Sequence, residues 1–556
     1  MANEGGMTVQ QSRTGLGVRL GLRTVCLITL IGMPLGRGVA APSTLPSSGE
    51  PKGRAAIEKL IGELEAGDFQ VRRAAQLRLN SLGGDALSVV EGALADAAMG
   101  PEAQNRLRAA LPFLKARARR EGPERARLAW KFGQIRSAYD VGPDTSPRWD
   151  KEAREAIDLF TKLPGNSASG SKARTEAIAA FAKAAQLGCE DPLFLTMYHL
   201  TVGEQFGRDE GPVGDSFDHV IRKVQRAKYP PIVKVWAAQR YTRAVRTLNH
   251  DVWQQAILDF GMAAKEPGLP PTELSATANQ MFDAIDTVGS FDVPAKDMLY
   301  KAYKAAAPGT HGALLVEGRV MLDMAWKNYA RSGWGRNVPA ANWNGFSDYL
   351  AKAAEALEAA WKLDPTDARP AALLITCQLG DKGGQRAGVE TWFARAVEAD
   401  PDCVDAYGRK MYTLNPWWYG DGFKDVISFG RECLATENWR AGVPMMLVAA
   451  HRAASEKSED AKAYYARPDV WADLSAVYEG QLVNFPDDAL RRSELANAAA
   501  QSGRWDVVRA QFEILGDRAV PGVFGGKATM DYTKRKAARL GGATTRPTTT
   551  LPVGAK

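Results

Sequence analysis

Five histidines and one acidic loop are the first residues to weigh for chemistry. The histidines are His199, His219, His250, His311 and His451. A zinc site on a helix takes two ligands three or four residues apart, which puts both on one face. No two of these histidines have that spacing, so each reads as an ordinary polar or core-edge side chain. Asp209, Glu210, Asp215, Asp218 and His219 gather around one loop, and a divalent cation could sit there. Their spacing follows no cation-loop pattern, and a solvated acidic loop is the simpler reading. The chain has no HExxH, no GxxxxGK[ST], no GxSxG and no dinucleotide fingerprint after a strand. The glycines around Ser167 are wrongly spaced for a nucleophile elbow. Gly525-Gly526-Lys527 lacks the earlier glycine of a phosphate loop. No residue is assigned a catalytic, cofactor-binding or metal-binding role, and no cofactor is expected.

The candidate site is aromatic instead: Trp334, Trp343, Trp417, Trp418 and Tyr419. Trp417-Trp418-Tyr419 cannot all face one side of a helix, and Pro416 and Gly420 flank them. At least one ring is therefore expected at the surface of a turn. Trp and Tyr are favoured anchors of interfaces. They pack cores just as readily. A partner-binding platform and a plug of hairpin joints both stand at this point.

The elements that position these rings are helical. KAAEALEAAWKLDPTDA (352–368) and RAGVETWFARAVEADPDCVDAY (386–407) repeat one phrase at an interval of 36 residues. Ala353, Leu357, Ala360 and Pro365 match Val389, Phe393, Ala396 and Pro401, with steps of four, three and five in both. Ala177, Phe181 and Ala184 share the spacing, and Leu495, Ala496, Gly503, Val508 and Phe512 outline another hairpin. Small residues let two helices approach, a large one fills the groove, and proline ends the second helix. A period in the thirties with that pattern predicts stacked helical hairpins. No stretch alternates with the period of a strand. The expected fold is all-α.

These hairpins resemble tetratricopeptide repeats. Residues 320–450 resemble, more narrowly, a bacterial tetratricopeptide-like domain of unknown function. Its landmarks here are Gly333-Trp334, Trp343, Leu363-Asp364-Pro365, Trp392-Phe393, Asp400-Pro401 and the 414–434 segment. That resemblance implies a helical-repeat fold and carries no chemistry. Asp68-Phe69-Gln70-Val71-Arg72, followed by Ala75, Leu79, Leu82 and Gly83, is similar to HEAT-type repeats. The similarity implies that Asp68 and Arg72 tie successive turns together.

At 556 residues the chain exceeds the size, about 250–300 residues, at which one core stops growing. Arg13, Arg19 and Arg23 precede a short apolar run, Thr24 to Gly36, and then small residues at 38–41. The run falls short of the roughly 20 residues that span a bilayer. It predicts a signal peptide over 1–40, cleaved after Ala40, and a periplasmic or envelope address. If uncleaved, it would tether the chain to a membrane. The organisation that follows is a flexible leader (41–54), a HEAT-like segment (55–120) and a charged, exposed helix with a linker (121–172). A helical repeat region (173–320), a tetratricopeptide-like domain (321–520) and a disordered tail (541–556) complete it.

The formal charge of +7, four Arg and one Glu of it within 1–40, is no nucleic-acid footprint. The short basic run Lys534, Arg535, Lys536 and Arg539 reads as a solvated helix end or tail. Cys189, Cys377, Cys403 and Cys433 form no CxxC pair. Cys403 and Cys433 each lie about 16–18 Å along predicted antiparallel helices from the Pro416–Gly420 turn, so a bridge and two buried thiols are both open. The expected function is an exported, non-enzymatic scaffold that binds a protein or peptide. The alternative is an exported all-helical carbohydrate-active enzyme, which needs two carboxylates converging across a ring-lined cleft, about 5–10 Å apart.

Overall fold

A computed structural model describes residues 53–96, 99–142, 146–162, 172–202, 213–288, 292–330, 338–380 and 386–541. All of them fall within one compact unit, 41–556. The predicted signal peptide, nearly all of the leader, Trp334 and all but the first residue of the predicted tail lie outside the described residues. Those described contain 24 α-helices, four short 3-10 turns and no strand. The fold is all-α, as the periodicity predicts.

The first four helices are α1 (Arg54–Glu63), α2 (Phe69–Asn80), α3 (Leu87–Leu94) and α4 (Pro101–Asp140). Asp68 caps α2, accepting a hydrogen bond from the Gln70 amide at 2.7 Å. Arg72 donates to the carbonyls of Ala66 and Gly67 and to Glu102 at the start of α4. Both residues are thus structural. Leu60, Leu64, Ala75, Leu79 and Val90 pack on Ala103, Leu107, Ala110 and Leu114 of α4.

Next come α5 (Asp150–Lys162), α6 (Lys172–Gln186), α7 (Pro192–Val202), α8 (Val213–Arg226), α9 (Pro231–Val245) and α10 (His250–Ala263). They are followed by α11 (Pro271–Thr287), α12 (Val293–Ala306), α13 (His311–Ala330), α14 (Ala340–Leu363), α15 (Ala368–Cys377), α16 (Arg386–Ala399) and α17 (Val404–Thr413). The chain finishes with α18 (Phe423–Ala435), α19 (Met445–Ser455), α20 (Ala461–Tyr465), α21 (Pro468–Asn484), α22 (Ala489–Gln501), α23 (Trp505–Leu515) and α24 (Lys527–Leu540). Side-chain caps mark many starts: Asn249, Asp292, Asp367, Asp460 and Asp488 each accept from a first-turn amide. Proline opens α4, α9, α11 and α21, where its missing N–H costs nothing.

Most helices adjacent in sequence pack as neighbours in space. Every second helix from α9 to α19 also touches the next: α9 on α11, α11 on α13, and so on to α17 on α19. The repeated phrase does what its spacing requires. Ala353, Leu357, Ala360, Val389 and Ala396 are fully buried, and Phe393 is half-buried. Leu357 packs so closely on α13 that a Cβ at Gly318 would lie 2.4 Å from its Cγ. α14 stops before Pro365 and α16 before Pro401.

The charged helix differs from expectation. α4 runs unbroken to Asp140, past Pro112 and Pro123 and through the expected boundary at 120, and much of its 115–140 stretch is exposed, but three of its cations are not. Arg117, Arg127 and Lys131 are buried. The reason is pairing. Arg117 donates to both oxygens of Asp402, at 2.8 and 2.9 Å, and to the carbonyls of Asn80 and Leu82. Arg120 reaches Asp400 and Asp402. Arg119 donates to the Ala399 carbonyl, and Arg73 pairs with Glu437. Two turns further along α4, Arg127 pairs with buried Glu273 at 2.5 Å. α4 also touches α9 and α11 directly. One helix therefore braces the start of α11 and the turns that precede α17 and α19.

Candidate functional site

The aromatic turn follows α17. The Trp418 amide donates to the Asn415 carbonyl at 2.9 Å, and the Tyr419 amide donates to the Thr413 carbonyl at 3.0 Å. The Asn415 side chain accepts from the Trp417 amide. Gly420 closes the turn, and a Cβ there would sit 1.8 Å from the Leu414 oxygen, so only glycine fits. With the backbone tied this tightly, the three rings must diverge.

Trp418 turns inward. It stacks on Trp343 and Phe346 of α14, with centroids at 6.5 and 6.4 Å. It also meets Trp326 and Tyr329 of α13 at 6.2 Å each, and Tyr412 of α17 at 6.1 Å. Offset and edge-on contacts of this kind are the favoured aromatic geometries. Tyr419 donates its hydroxyl to the Gln378 carbonyl, tying the turn to the end of α15. Trp417 turns outward and is 59% exposed, with Lys457 Nζ 4.7 Å from its ring centre.

The sequence-derived set therefore divides. Trp343 and Trp418 meet in one cluster, Tyr419 anchors its rim, and Trp417 stands apart on the surface. Four cluster members were missed: Trp326, Tyr329, Phe346 and Tyr412. Two of the pairs, Trp326/Tyr329 and Trp343/Phe346, share a three-residue helical step, and that step was the signal that could have found them.

Two of the buried carboxylates, Asp402 and Glu273, are held by arginines. Burial would raise the Asp402 carboxyl, but hydrogen bonds and charge from Arg117 and Arg120, with Asn438, hold it well below the usual range. Glu273 accepts from Arg127, from the Trp236 indole at 3.0 Å and from Thr277 at 2.9 Å. Lys131 lies 4.3 Å over the Trp236 ring, and burial pushes its amine down to about 7, with Glu273 opposing only in part. Lys296 bridges Asp286 and Asp323. None of these groups lines a cleft with the aromatic turn. Two surface depressions, of about 390 and 310 Å³, lie near α5 and involve none of the tryptophans.

The histidines separate too. His451 is buried between the Tyr464 hydroxyl at 2.9 Å and Asp473 at 3.0 Å. His199 stacks on Phe217, and burial lowers its pKa. Asp218 of the acidic loop accepts from the Tyr241 hydroxyl, while Asp209 and Glu210 lie outside the described residues. No group of three or more His, Cys, Asp or Glu among the described residues could hold a metal ion. Among them, too, no helix is long and apolar enough to cross a membrane. Cys189, Cys377, Cys403 and Cys433 are free thiols, each pushed up to about 12 by burial. The bridge left open between Cys403 and Cys433 is not formed.

The arrangement presents one exposed indole on a turn, next to a ring that packs into the cluster beneath. No protein-family model matches the chain and no curated protein does, so the repeat resemblances rest on its own residues.

Proposed function

We propose that the chain is an exported, non-enzymatic helical-repeat scaffold that binds another protein or peptide, its hairpins stacked as a tetratricopeptide-like α-solenoid. The observation that carries the reading is Trp417. Exposed tryptophans are costly to hydrate and rank among the strongest interface anchors. This one sits on a turn whose neighbours are locked by ring packing and backbone hydrogen bonds. A partner would meet it already ordered, which spares the entropy of fixing a mobile loop.

Capture from an envelope extract, comparing wild type with Trp417→Ala, tests the reading. The variant should lose most of the specifically retained protein while its melting temperature stays unchanged. Equal capture by both would remove Trp417 from the site. Release of reducing sugar from envelope polysaccharide by wild type would favour the carbohydrate-active alternative.

A further inference from the structure

We propose that the outer face of α24 is a docking surface for an anionic phospholipid membrane. Charge is the first ground. Residues 527–556 contain seven Lys or Arg against a single acid, Asp531, in a chain whose whole formal excess is +7. This segment alone carries +6, against +3 in residues 1–40 and −2 in the residues between.

Geometry is the second ground. α24 packs on α23 through buried Thr533 and Ala537 and half-buried Met530. No later helix covers its other side among the described residues. Lys527, Lys534, Arg535 and Arg539 are exposed and spread over about 140° of the helix surface turned away from α23. None of the four has an ion pair among the described residues, whereas most arginines of α4 are paired. Lys536 is turned sideways, its Nζ 4.5 Å from the Trp505 ring.

The third ground distinguishes a lipid surface from other polyanions. Tyr532 is 56% exposed and Leu540 49% exposed, and they flank the cations on the same helix. An aromatic and an aliphatic side chain on the same helix as these exposed cations suit the headgroup boundary, where rings and alkyl groups enter while cations meet phosphate. A single terminal helix offers one convex face and no groove to track a nucleic-acid backbone.

Co-sedimentation of the full chain with vesicles tests this. The vesicles are pure phosphatidylcholine, or phosphatidylcholine with a third phosphatidylglycerol. Wild type should bind the anionic vesicles, lose them at high salt, and leave the neutral ones in solution. Lys534→Gln, Arg535→Gln and Arg539→Gln combined should bind on the order of 100-fold more weakly, from a factor of about five per basic residue at the surface. Residues 1–40 are common to both proteins, so any binding they add cancels. Tyr532→Ala should weaken vesicle binding without changing retention on a cation exchanger. If the triple variant unfolds, the three single variants must show graded losses. Equal binding by wild type and triple variant overturns the proposal, as does equal binding to neutral vesicles. Tighter binding to single-stranded RNA than to anionic vesicles overturns the choice of lipid.

Discussion

Arg117→Met should destabilise the chain by about 3 kcal/mol, the lower end of what is lost when one partner of a buried ion pair is removed. The structure sets that position in the range. Methionine keeps the apolar stem of Arg117 and removes its guanidinium, which makes four hydrogen bonds at 2.9 Å or less. Asp402 would stay buried but not abandoned, because Arg120 reaches it at 2.9 Å and Asn438 at 3.0 Å. The carbonyls of Asn80 and Leu82 would lose the donor that Arg117 supplies. Denaturant unfolding at neutral pH gives the magnitude, and amide exchange gives the place. Protection should fall at 54–96 and around 400–402 and 436–440, while 489–515 stays as in wild type. The acid limb supplies a second readout. The Asp402 carboxyl is held below its unfolded value, so its contribution is complete above about pH 5 and is lost as pH falls through the folded pKa. Without Arg117 that depression shrinks, and stability should fall less steeply between about pH 5 and pH 2. Arg117→Met with Asp402→Leu should recover part of the loss, since no buried charge is then stranded. A single variant within about 0.5 kcal/mol of wild type, with unchanged exchange at 54–96, would refute the role given to α4.

Three further outcomes follow from the packing. Trp418→Ala should cost about 3 kcal/mol, because the ring is half-buried against five others, and Trp417→Ala should leave denaturant midpoints unchanged. Ala360→Trp should destabilise by roughly 1–3 kcal/mol or more, since residue 360 has no accessible surface; an unchanged thermal melt would contradict the helix contact there. All four cysteines of the described region should resist a thiol reagent at pH 8 in the folded chain. They should all alkylate after denaturation without reductant, as peptide mapping would show.

The hairpins were legible because their signal is local. Ala353, Leu357 and Ala360 declare a buried stripe by spacing alone, and proline marks its end. The brace was not, because its partners are distant: Arg117 and Asp402 are 285 residues apart. A run of charges read in isolation is a solvated face. A trace of the truth was nonetheless present. Ala103, Leu107, Ala110 and Leu114 step by four, three and four, and Arg117 falls at the next position of that same stripe. An arginine continuing an apolar stripe is a request for a buried carboxylate. The aromatic site was half legible for a related reason. The turn residues Pro416 and Gly420 announce that Trp417 and Trp418 diverge, but which ring goes inward depends on α13 and α14, about 70–90 residues earlier.

The brace bears on the proposed function through rigidity. Helices α1 to α3 share only a small apolar core with the first half of α4. Farther along, α4 is held by Glu273 at the start of α11 and by Asp400 and Asp402 before α17. Arg120 and Arg127 are seven residues apart, a rise of about 10 Å. The start of α11 and the turn before α17, more than a hundred residues apart in sequence, are therefore held within two guanidinium lengths of one short helical stretch. An array pinned in that way cannot open or close between those points without breaking buried ion pairs. α17 leads directly into the turn that carries Trp417, so the brace fixes the platform on which that indole stands. On the proposed reading, a partner would be met by a surface of fixed curvature. Loosening the brace at Arg117 should then weaken capture even though Arg117 touches no partner, and Arg117→Met with Asp402→Leu should restore part of it. Capture that is indifferent to Arg117 would separate the Trp417 site from the brace and leave α4 a purely stabilising element.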